Sequence, residues 1–481
     1  MKPHSGKSPG TSSSGQFHHQ LYRPLSILAL GWAVFSVTTA RATVLLDPLV
    51  EPSTTQFGYV VASMGDVSGD GVPDFAVGAP FQDGDFVSTD MGFGLPANVG
   101  KVFVIDGSTH AVLAEMNDPD FELIQPQHFG GQLGASIAVS ADINGDGVPD
   151  IIAGVPQHIA NPSNKDTIAN LAGKALVFSG KDGALLFTLN DPTAEEDGRC
   201  GTAVAALGDM NADGTADFAV GVPGKDIGGE DGIANVGLVY VFSGKNGQLI
   251  RTLNDPPRGG AEAGAAFGSA IANAGDVNSD GVNDVLVGAP GEGRAYVFSG
   301  KTGILLYSIL SPVNEPVPSF GYAVAGGQDF SQDRKPDLLI GAPLQGNFSG
   351  AAYVFNGVDG TLIRKLKSPA PQTFARFGAS VYASTDLTGD RRADIVVGAP
   401  DEDVNGFVGA GEAFVFDGQR GRVQQTLMSE TPQAHAAYGT GLTTALFPGN
   451  RSATTVVGAP YQDAMIAGLS HLQMGQIELP Q

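Results

Sequence analysis

Oxygen-bearing side chains recur at fixed spacing along this chain. In Asp142-Ile-Asn-Gly-Asp-Gly-Val-Pro-Asp150 they stand at positions 1, 3, 5 and 9 of a nine-residue segment, with Gly147 at position 6. Glycine permits the positive φ of a sharp reversal. With a backbone carbonyl at position 7, such a loop can surround a hard cation with about six oxygens, and Ca²⁺ suits this donor set. No Glu stands at position 12 and a strand pattern follows, so the loop is not an EF-hand.

Six segments repeat this pattern. The sequence predicts about four to six Ca²⁺ sites, because Arg334 and Arg391 replace the glycine in the last two loops, where an arginine strains the turn and adds a positive charge. A seventh copy at 447–454 has no acid, and we expect no metal there. The predicted metal ligands are Asp66, Ser68, Asp70 and Asp74; Asp142, Asn144, Asp146 and Asp150; Asp209, Asn211, Asp213 and Asp217; Asp276, Asn278, Asp280 and Asp284; Asp329, Ser331, Asp333 and Asp337; and Asp386, Thr388, Asp390 and Asp394.

The alternative interpretation is that these loops are Asx-turns, in which Asp and Asn side chains cap backbone amides. It would suit one loop. It does not explain three carboxylates in each of six loops, since close carboxylates repel by roughly 1 kcal/mol per pair even in water. A bound cation removes this repulsion.

The loops lie within longer repeats. Each repeat opens with an aromatic-Gly pair, except the third, continues through the loop, and closes a second strand with Gly-Ala-Pro or Gly-Val-Pro. Cys200-Gly201 opens the third repeat, so Cys200 is predicted to be a buried stand-in for Phe. The predicted openings are near 57, 129, 200, 267, 320, 377 and 438, where the aromatic pairs are Phe57-Gly58, Phe129-Gly130, Phe267-Gly268, Phe320-Gly321, Phe377-Gly378 and Tyr438-Gly439.

Short β-branched and aromatic runs separated by Gly, Asn and Asp turns predict four strands per repeat, and no segment has sustained helical periodicity. Seven repeats of four strands predict an all-β, seven-bladed β-propeller of four-stranded antiparallel blades over residues 43–481. The segment Thr43-Val-Leu-Leu resembles a fourth strand, and residues 475–479 resemble a third. We therefore expect the N-terminal strand to complete the last blade and close the ring.

The first 42 residues differ from the rest. A basic, Ser/Gly-rich start leads to the apolar run Leu25–Val37 and then to Ala40-Arg41-Ala42, which is typical of a signal-peptide cleavage site. Residues 1–42 are predicted to be a cleaved export signal, with an uncleaved membrane anchor as the alternative. The mature chain is then expected to be secreted, in the extracellular space, in the periplasm or at the cell surface.

The net charge and the cysteine count exclude some classes of function and of stabilisation. A net charge of −24 argues against nucleic acid and anionic membranes as partners. Cys200 is the only cysteine, so no intrachain disulfide can form. An exported chain without disulfides must be held together by packing, hydrogen bonds or metal.

The aromatic-Gly openings, the Gly-Ala-Pro closings and the Asp-rich loops between them resemble FG-GAP repeats, which form the N-terminal β-propeller of integrin alpha chains. This resemblance implies an extracellular protein or glycan ligand on the face opposite the calcium loops. The long loops after the second strands of the first three repeats lie on that face, and they are either the contact surface or tolerated insertions. Their exposed candidates are Phe81, Phe86, Phe93 and His158.

Two functions remain. The first is an integrin-alpha-like adhesion or interaction module, and the alternative is a hydrolase or lyase acting on polysaccharide. The histidines have no zinc-ligand spacing and no Gly-x-Ser-x-Gly elbow is present. Paired carboxylates outside the loops, Glu195/Glu196 and Asp401/Glu402/Asp403, are typical of solvated turns. We therefore predict no catalytic residues, no cofactor other than Ca²⁺ and no enzymatic activity.

Overall fold

The structure is a computed structural model. It describes the strands Ala33–Val37 and Ala42–Leu46 and residues 56–461, except 83–86, 90–91, 95–98, 121–129, 159–170, 228–232, 257–262, 315–318, 431 and 451. No helix in these ranges has the length and apolar character needed to cross a membrane.

The fold is an all-β propeller with six complete blades, each formed by four consecutive antiparallel strands. Blade 1 contains Val60–Gly65, Asp74–Ala79, Lys101–Ile105 and Val112–Met116; blade 2 contains Ile137–Val139, Ile151–Val155, Lys174–Phe178 and Leu185–Asn190; blade 3 contains Val204–Gly208, Asp217–Val222, Leu238–Phe242 and Leu249–Asn254; blade 4 contains Ala270–Gly275, Asp284–Ala289, Arg294–Phe298 and Leu305–Leu310; blade 5 contains Ala323–Gln328, Asp337–Ala342, Ala351–Phe355 and Leu362–Leu366; blade 6 contains Ser380–Ser384, Asp394–Ala399, Glu412–Asp417 and Val423–Leu427.

The remaining elements are short. Val87–Thr89 pairs with Gly92–Gly94 in the long loop of blade 1. A 3₁₀ turn spans Pro290–Glu292, and a four-residue turn with positive φ at Gly346, Asn347 and Phe348 spans Gln345–Phe348.

The middle strands carry the core. The second strand is buried at every position in all six blades, as in Asp394-Ile-Val-Val-Gly-Ala399, because its β-branched residues pack against neighbouring blades on both faces. The fourth strand is the outer edge, and in Leu185–Asn190 only Leu189 is buried. Each blade thus shares a hydrophobic core with the next, as blades 1 and 2 do through a cluster that includes Val104 and Leu176.

The prediction of seven blades is wrong. The opening motif occurs seven times, but the described chain has four consecutive strands only six times, and the seventh repeat contributes the hairpin Leu442–Ala445 and Thr454–Val457. The N-terminal part extends this hairpin differently from expectation: Ala33–Val37 pairs with Thr454–Val457, and Ala42–Leu46 pairs with Ala33–Val37. The predicted strand at 475–479 lies outside the described residues.

The hairpin lies between blade 6 and blade 1. Phe447 and Val456 pack in one core with Phe75 of blade 1. Val457 packs on the other side with Val396 of blade 6. This hairpin therefore closes the ring between blade 6 and blade 1.

The two recurring glycines have different structural reasons. The opening glycine has a positive φ, 88° at Gly201, and its N–H donates to the carbonyl of the closing glycine in its own blade, as Gly201 does to Gly221 at 3.0 Å. The closing glycine touches the next blade. A Cβ on Gly221 would lie 2.0 Å from the carbonyl oxygen of Gly268. Both positions therefore exclude larger residues.

The predicted opening of the second repeat is also wrong. Leu133-Gly134 occupies the position assigned to Phe129-Gly130: Leu133 is fully buried, and the N–H of Gly134 donates to the carbonyl of Gly154 at 3.1 Å. The buried position requires apolar volume rather than an aromatic ring, so a search for aromatic-Gly pairs stopped four residues early. Cys200, which is fully buried, fills the same position in blade 3, as expected.

Candidate functional site

All six acidic loops connect the first and second strands of their blades. They therefore lie at the same ends of the strands, on one face of the propeller. Position 9 is the first residue of the second strand in five blades, as Asp74 is in blade 1, and Asp150 directly precedes that strand in blade 2. The structure thus brings the four predicted ligands of each loop into one tight turn.

The position-9 aspartates are fully buried braces. In blade 1 one carboxylate oxygen of Asp74 accepts the N–H groups of Val67 at 2.8 Å and Ser68 at 2.7 Å, and the other accepts the N–H of Gly107 at 2.9 Å. The carboxylate therefore ties the loop to the turn between the third and fourth strands. The same contact to a turn glycine recurs in the other blades, at Asp150, Asp217, Asp284, Asp337 and Asp394.

Burial changes the pKa of these position-9 aspartates. Desolvation raises the pKa of the Asp217 carboxyl above its ordinary value and raises the pKa of Asp284 to about 6, against the opposing effect of the amide hydrogen bonds. A nearby positive charge would favour the ionised form.

The position-1 aspartates organise the loop tips. Asp142 accepts the N–H groups of Gly145 at 2.7 Å, Asp146 at 3.1 Å and Gly147 at 2.8 Å. The hydrogen bond from Gly147 is the largest cause of the lowered pKa of Asp142. The carboxylate is therefore held ionised at the exposed tip of the loop.

Positions 3 and 5 face each other across the loop. The Asn144 amide donates to Asp146 Oδ2 at 3.0 Å, and the equivalent contacts in blades 3 and 4 have distances of 2.9 and 3.0 Å. Val148 donates its N–H to the other oxygen of Asp146. The polar groups of the tip thus satisfy one another.

Sequence reasoning missed a second group of residues at the loops. Ser179 donates from its hydroxyl to Asp146 at 3.2 Å, and Lys181 donates from Nζ to the Asp146 carbonyl at 3.3 Å. Ser243 with Lys245 and Ser299 with Lys301 repeat the arrangement in blades 3 and 4. The recurring Ser-Gly-Lys of these turns was the available signal.

The arginines in blades 5 and 6 keep the turn. Arg334 and Arg391 have φ values of 69° and 68°, and their N–H groups donate to Asp329 at 2.8 Å and to Asp386 at 2.7 Å. These contacts match the one made by Gly147. Loop shape is therefore retained, and the non-glycine residue bears the conformational strain.

The donor set of the loops fits a hard cation. Every predicted ligand offers oxygen, and each carboxylate oxygen that accepts one N–H keeps a further lone pair. Backbone amides also satisfy much of this charge, which is the pattern of Asx-turns. Among the described residues, no three His, Cys, Asp or Glu side chains are arranged as a metal cluster.

The opposite ends of the strands form a second feature, which the sequence analysis missed. A cavity of about 460 Å³ lies there between blade 1, blades 5 and 6 and the closing hairpin. A signal existed, since tyrosine follows the opening glycine in blades 1 and 5. Its lining includes the side chains of Tyr59, Tyr322, Arg376, Asp401, His435 and Tyr461.

The structure describes only some of the exposed contact residues that were predicted on this face. His158 is 9 % exposed and lies 3.4 Å from a buried Asp118 oxygen, so its prediction as an exposed contact is wrong. Phe81 is half-buried. Phe86 lies outside the described residues, and for Phe93 only the backbone strand is described.

The acidic runs predicted as solvated turns are partly structural. Glu402 is 1 % exposed and accepts a hydrogen bond from the Ser368 hydroxyl at 3.0 Å, so its assignment to a solvated turn is wrong. Burial raises its pKa to about 7. Asp401 pairs with Arg376, and Glu195 lies 3.4 Å from the Lys225 ammonium. Tertiary contacts, which local composition does not show, account for these acids.

Comparison with known proteins identifies the repeats. The FG-GAP repeat family matches residues 133–168, 267–303, 320–355 and 377–416. Integrin alpha-V of Gallus gallus is 33 % identical over 226 residues, which are 44 % of this chain and 20 % of the relative. Integrin alpha pat-2 of Caenorhabditis elegans is 32 % identical over 254 residues, 48 % of this chain and 19 % of the relative.

A third relative gives the same picture. Integrin alpha-11 of Homo sapiens is 32 % identical over 180 residues, 34 % of this chain and 15 % of the relative. The chain thus spans no more than about a fifth of the length of these relatives.

Proposed function

Because this chain is an FG-GAP repeat protein similar to integrin alpha chains, we propose that it is an exported adhesion or interaction module whose propeller is braced by Ca²⁺. The observation that carries the proposal is the repetition of one loop architecture in six blades. In each, a position-1 carboxylate gathers tip amides and a buried position-9 carboxylate anchors the loop.

The residues that would hold Ca²⁺ are the oxygen-bearing side chains at positions 1, 3, 5 and 9 of these loops. Bound Ca²⁺ supplies positive charge that offsets carboxylate repulsion, and this chain's residues supply the oxygens and the preformed turn. In blades 2 to 4 the lysine ammonium already offsets part of that charge. The role we propose for the metal is stabilisation of the blade ends.

The proposed partner is an extracellular protein or glycan, bound on the face opposite the loops. The cavity on that face supports this choice, as do the exposed side chains of Phe374 and Phe407, two residues before the lining residues Arg376 and Gly409. Exposed aromatic residues are enriched where proteins bind partners. We propose no catalytic residues.

We propose that residues 1–42 are removed on export. The proposed cleavage after Ala42 would leave Ala33–Val37 outside the mature chain and retain Thr43 onwards. Mass spectrometry of protein recovered from the culture medium or periplasm tests this, with Thr43 as the expected first residue. An intact N-terminus in the recovered protein would contradict it.

Calorimetric titration of Ca²⁺ into the chelator-treated mature chain tests the metal role. We expect saturable binding with a stoichiometry of about four to six. A screen of extracellular matrix proteins and glycans with and without Ca²⁺ tests the binding role. Release of oligosaccharide from a polysaccharide, instead of stable binding, would favour an enzyme.

A further inference from the structure

The cavity on the face opposite the loops is lined by three tyrosines from separate parts of the ring. Tyr59 precedes the first strand of blade 1, Tyr322 precedes that of blade 5, and Tyr461 follows the closing hairpin. Tyr322 and Tyr461 are 46 % and 45 % exposed, which is unusual for large aromatic side chains. Burial raises the pKa of Tyr59, and the neighbouring phenols of Tyr322 and Tyr461 add to this effect. The three rings therefore border one shared space.

A paired guanidinium and carboxylate lie beside these rings. Arg376 donates from Nε and Nη2 to the two oxygens of Asp401, at 2.9 Å for the Nη2 contact. Both side chains remain more than a third exposed. Arg376 keeps three N–H donors and Asp401 keeps free lone pairs, so the pair presents donors and acceptors side by side.

The backbone at this point is strained. Arg376 has a φ of 53° and Phe374 a φ of 68°. The same position has a positive φ in other blades, 57° at Arg199 and 55° at Ala266, so the φ of Arg376 is a feature of the repeat. The N–H of Arg376 donates to the Phe348 carbonyl at 2.9 Å, which fixes this conformation.

We propose that this cavity binds a neutral saccharide, a terminal hexose or N-acetylhexosamine unit of a glycan. Each hydroxyl of a vicinal diol both donates and accepts, and the Arg376–Asp401 pair offers both functions in one plane. The tyrosine rings offer flat apolar surfaces to the C–H faces of a sugar. The volume lies in the usual range for small-ligand sites.

The charge balance favours a neutral ligand over a charged one. A cation meets the Arg376 guanidinium, and an anion meets the Asp401 carboxylate in a chain of net charge −24. His435 is exposed at the rim and adds a further hydrogen-bonding group. The inference rests on the proposed function, since it names the partner bound by the face opposite the loops.

Binding of simple glycosides to the mature chain in Ca²⁺ tests the inference. The probes are the methyl glycosides of mannose, galactose, glucose and N-acetylglucosamine, followed by saturation-transfer NMR and calorimetry. We expect one of them to bind with saturable affinity. Arg376→Gln and Tyr322→Ala should each weaken it about tenfold, the effect of losing a hydrogen bond to a charged group or a ring contact.

Arg199→Gln is the matched control. Arg199 stands at the same position of blade 3, has a φ of 57° and lies 3.8 Å from Asp197, but it does not line the cavity. This variant should bind the glycoside as the parent does. Equal weakening by Arg199→Gln, or no effect of either cavity variant, would place the sugar elsewhere and overturn the inference.

The remaining outcomes are also decisive. No binding of any glycoside, or tighter binding of glucuronate or arginine methyl ester, would overturn a neutral saccharide site. If matrix-protein or cell binding persists in that case, the proposed function stands and only the saccharide assignment fails. If the folded chain bound no partner at all, both the saccharide assignment and the proposed function would fail.

Discussion

Gly458 and Gly58 touch across the point where the ring closes, although the whole propeller lies between them in sequence. A Cβ built on Gly458 would lie 2.1 Å from the Gly58 carbonyl oxygen. The same approach joins successive blades, for example Gly398 to Gly439 at 2.1 Å. The closing hairpin therefore packs on blade 1 through the same backbone contact that joins the other blades.

Gly458→Ala should destabilise this closure. The methyl group cannot be accommodated without moving the backbone of blade 1, and overpacking of this kind costs roughly 1–3 kcal/mol. Gly198→Ala is the control, since its Cβ would meet its nearest neighbour at 3.4 Å, an ordinary contact. Urea unfolding should give a lower midpoint for Gly458→Ala alone. Equal midpoints would show that the ring does not depend on this contact.

Removal of Ca²⁺ should lower the melting temperature. At about millimolar Ca²⁺ and a dissociation constant near ~10⁻⁴ M, each occupied loop contributes roughly 1.4 kcal/mol to the free energy of unfolding. Differential scanning calorimetry in Ca²⁺ and in EDTA measures the sum. An unchanged melt would leave the loops as Asx-turns.

Asp146→Ala tests a single loop. The variant loses its Ca²⁺ contribution together with the hydrogen bonds from Asn144, Ser179 and Val148. The difference in the free energy of unfolding between parent and variant in Ca²⁺ contains both losses. The same difference measured in EDTA contains only the loss of the hydrogen bonds. Asn450→Ala, in the acid-free seventh loop, should show no Ca²⁺-dependent change. A Ca²⁺-dependent loss there instead would refute the assignment of metal to the acidic loops.

Arg391→Gly should stabilise the blade 6 loop. Arg391 holds a φ of 68°, which costs a non-glycine residue about 1 kcal/mol. The change also removes a positive charge from the predicted metal loop, so we expect tighter Ca²⁺ binding there. Arg392→Gly removes the adjacent charge without relieving a positive φ, and it should not raise stability. Lower stability of Arg391→Gly in chemical unfolding would contradict this explanation.

The acidic loops and the buried Cys200 could be inferred from the sequence, because each depends on local chemistry: an Asp-rich turn, or an apolar residue before an opening glycine. The opening at Leu133 could not, since a pattern search equates a buried position with an aromatic ring. The predicted number of complete blades was also wrong. It depends on which distant segment supplies the outer strands of the last sheet, and hydrophobic pattern carries no information about partners.

The cavity is a second case in which the sequence was not enough. Tyr59 and Tyr322 each follow an opening glycine and Arg376 precedes Phe377 of an opening pair, where all three look like ordinary loop residues. Only the closed ring brings them together. Glu402 shows the same limit, since an acid between two others in sequence is buried by blade packing.

Glu402 should make the stability of the fold pH-dependent. Burial raises its pKa from 4.5 to about 7, with Glu412 and Asp403 adding to the effect and the Ser368 hydroxyl opposing it. The folded pKa is above the unfolded one, so the protonated carboxyl is favoured in the fold. The contribution of Glu402 to the free energy of unfolding is fully present below about pH 4.5 and is lost as the pH rises through about 7.

Glu402→Gln should remove this dependence, because the amide keeps the size of the side chain and cannot ionise. At pH 8 we expect the variant to be more stable than the parent by up to roughly 3 kcal/mol, and at pH 4.5 to be close to it. The exposed Glu430→Gln is the control and should follow the parent at both pH values. Urea unfolding midpoints measured from pH 4.5 to 8 test this prediction. If the midpoints of Glu402→Gln and the parent change with pH in parallel, Glu402 ionises freely in the fold.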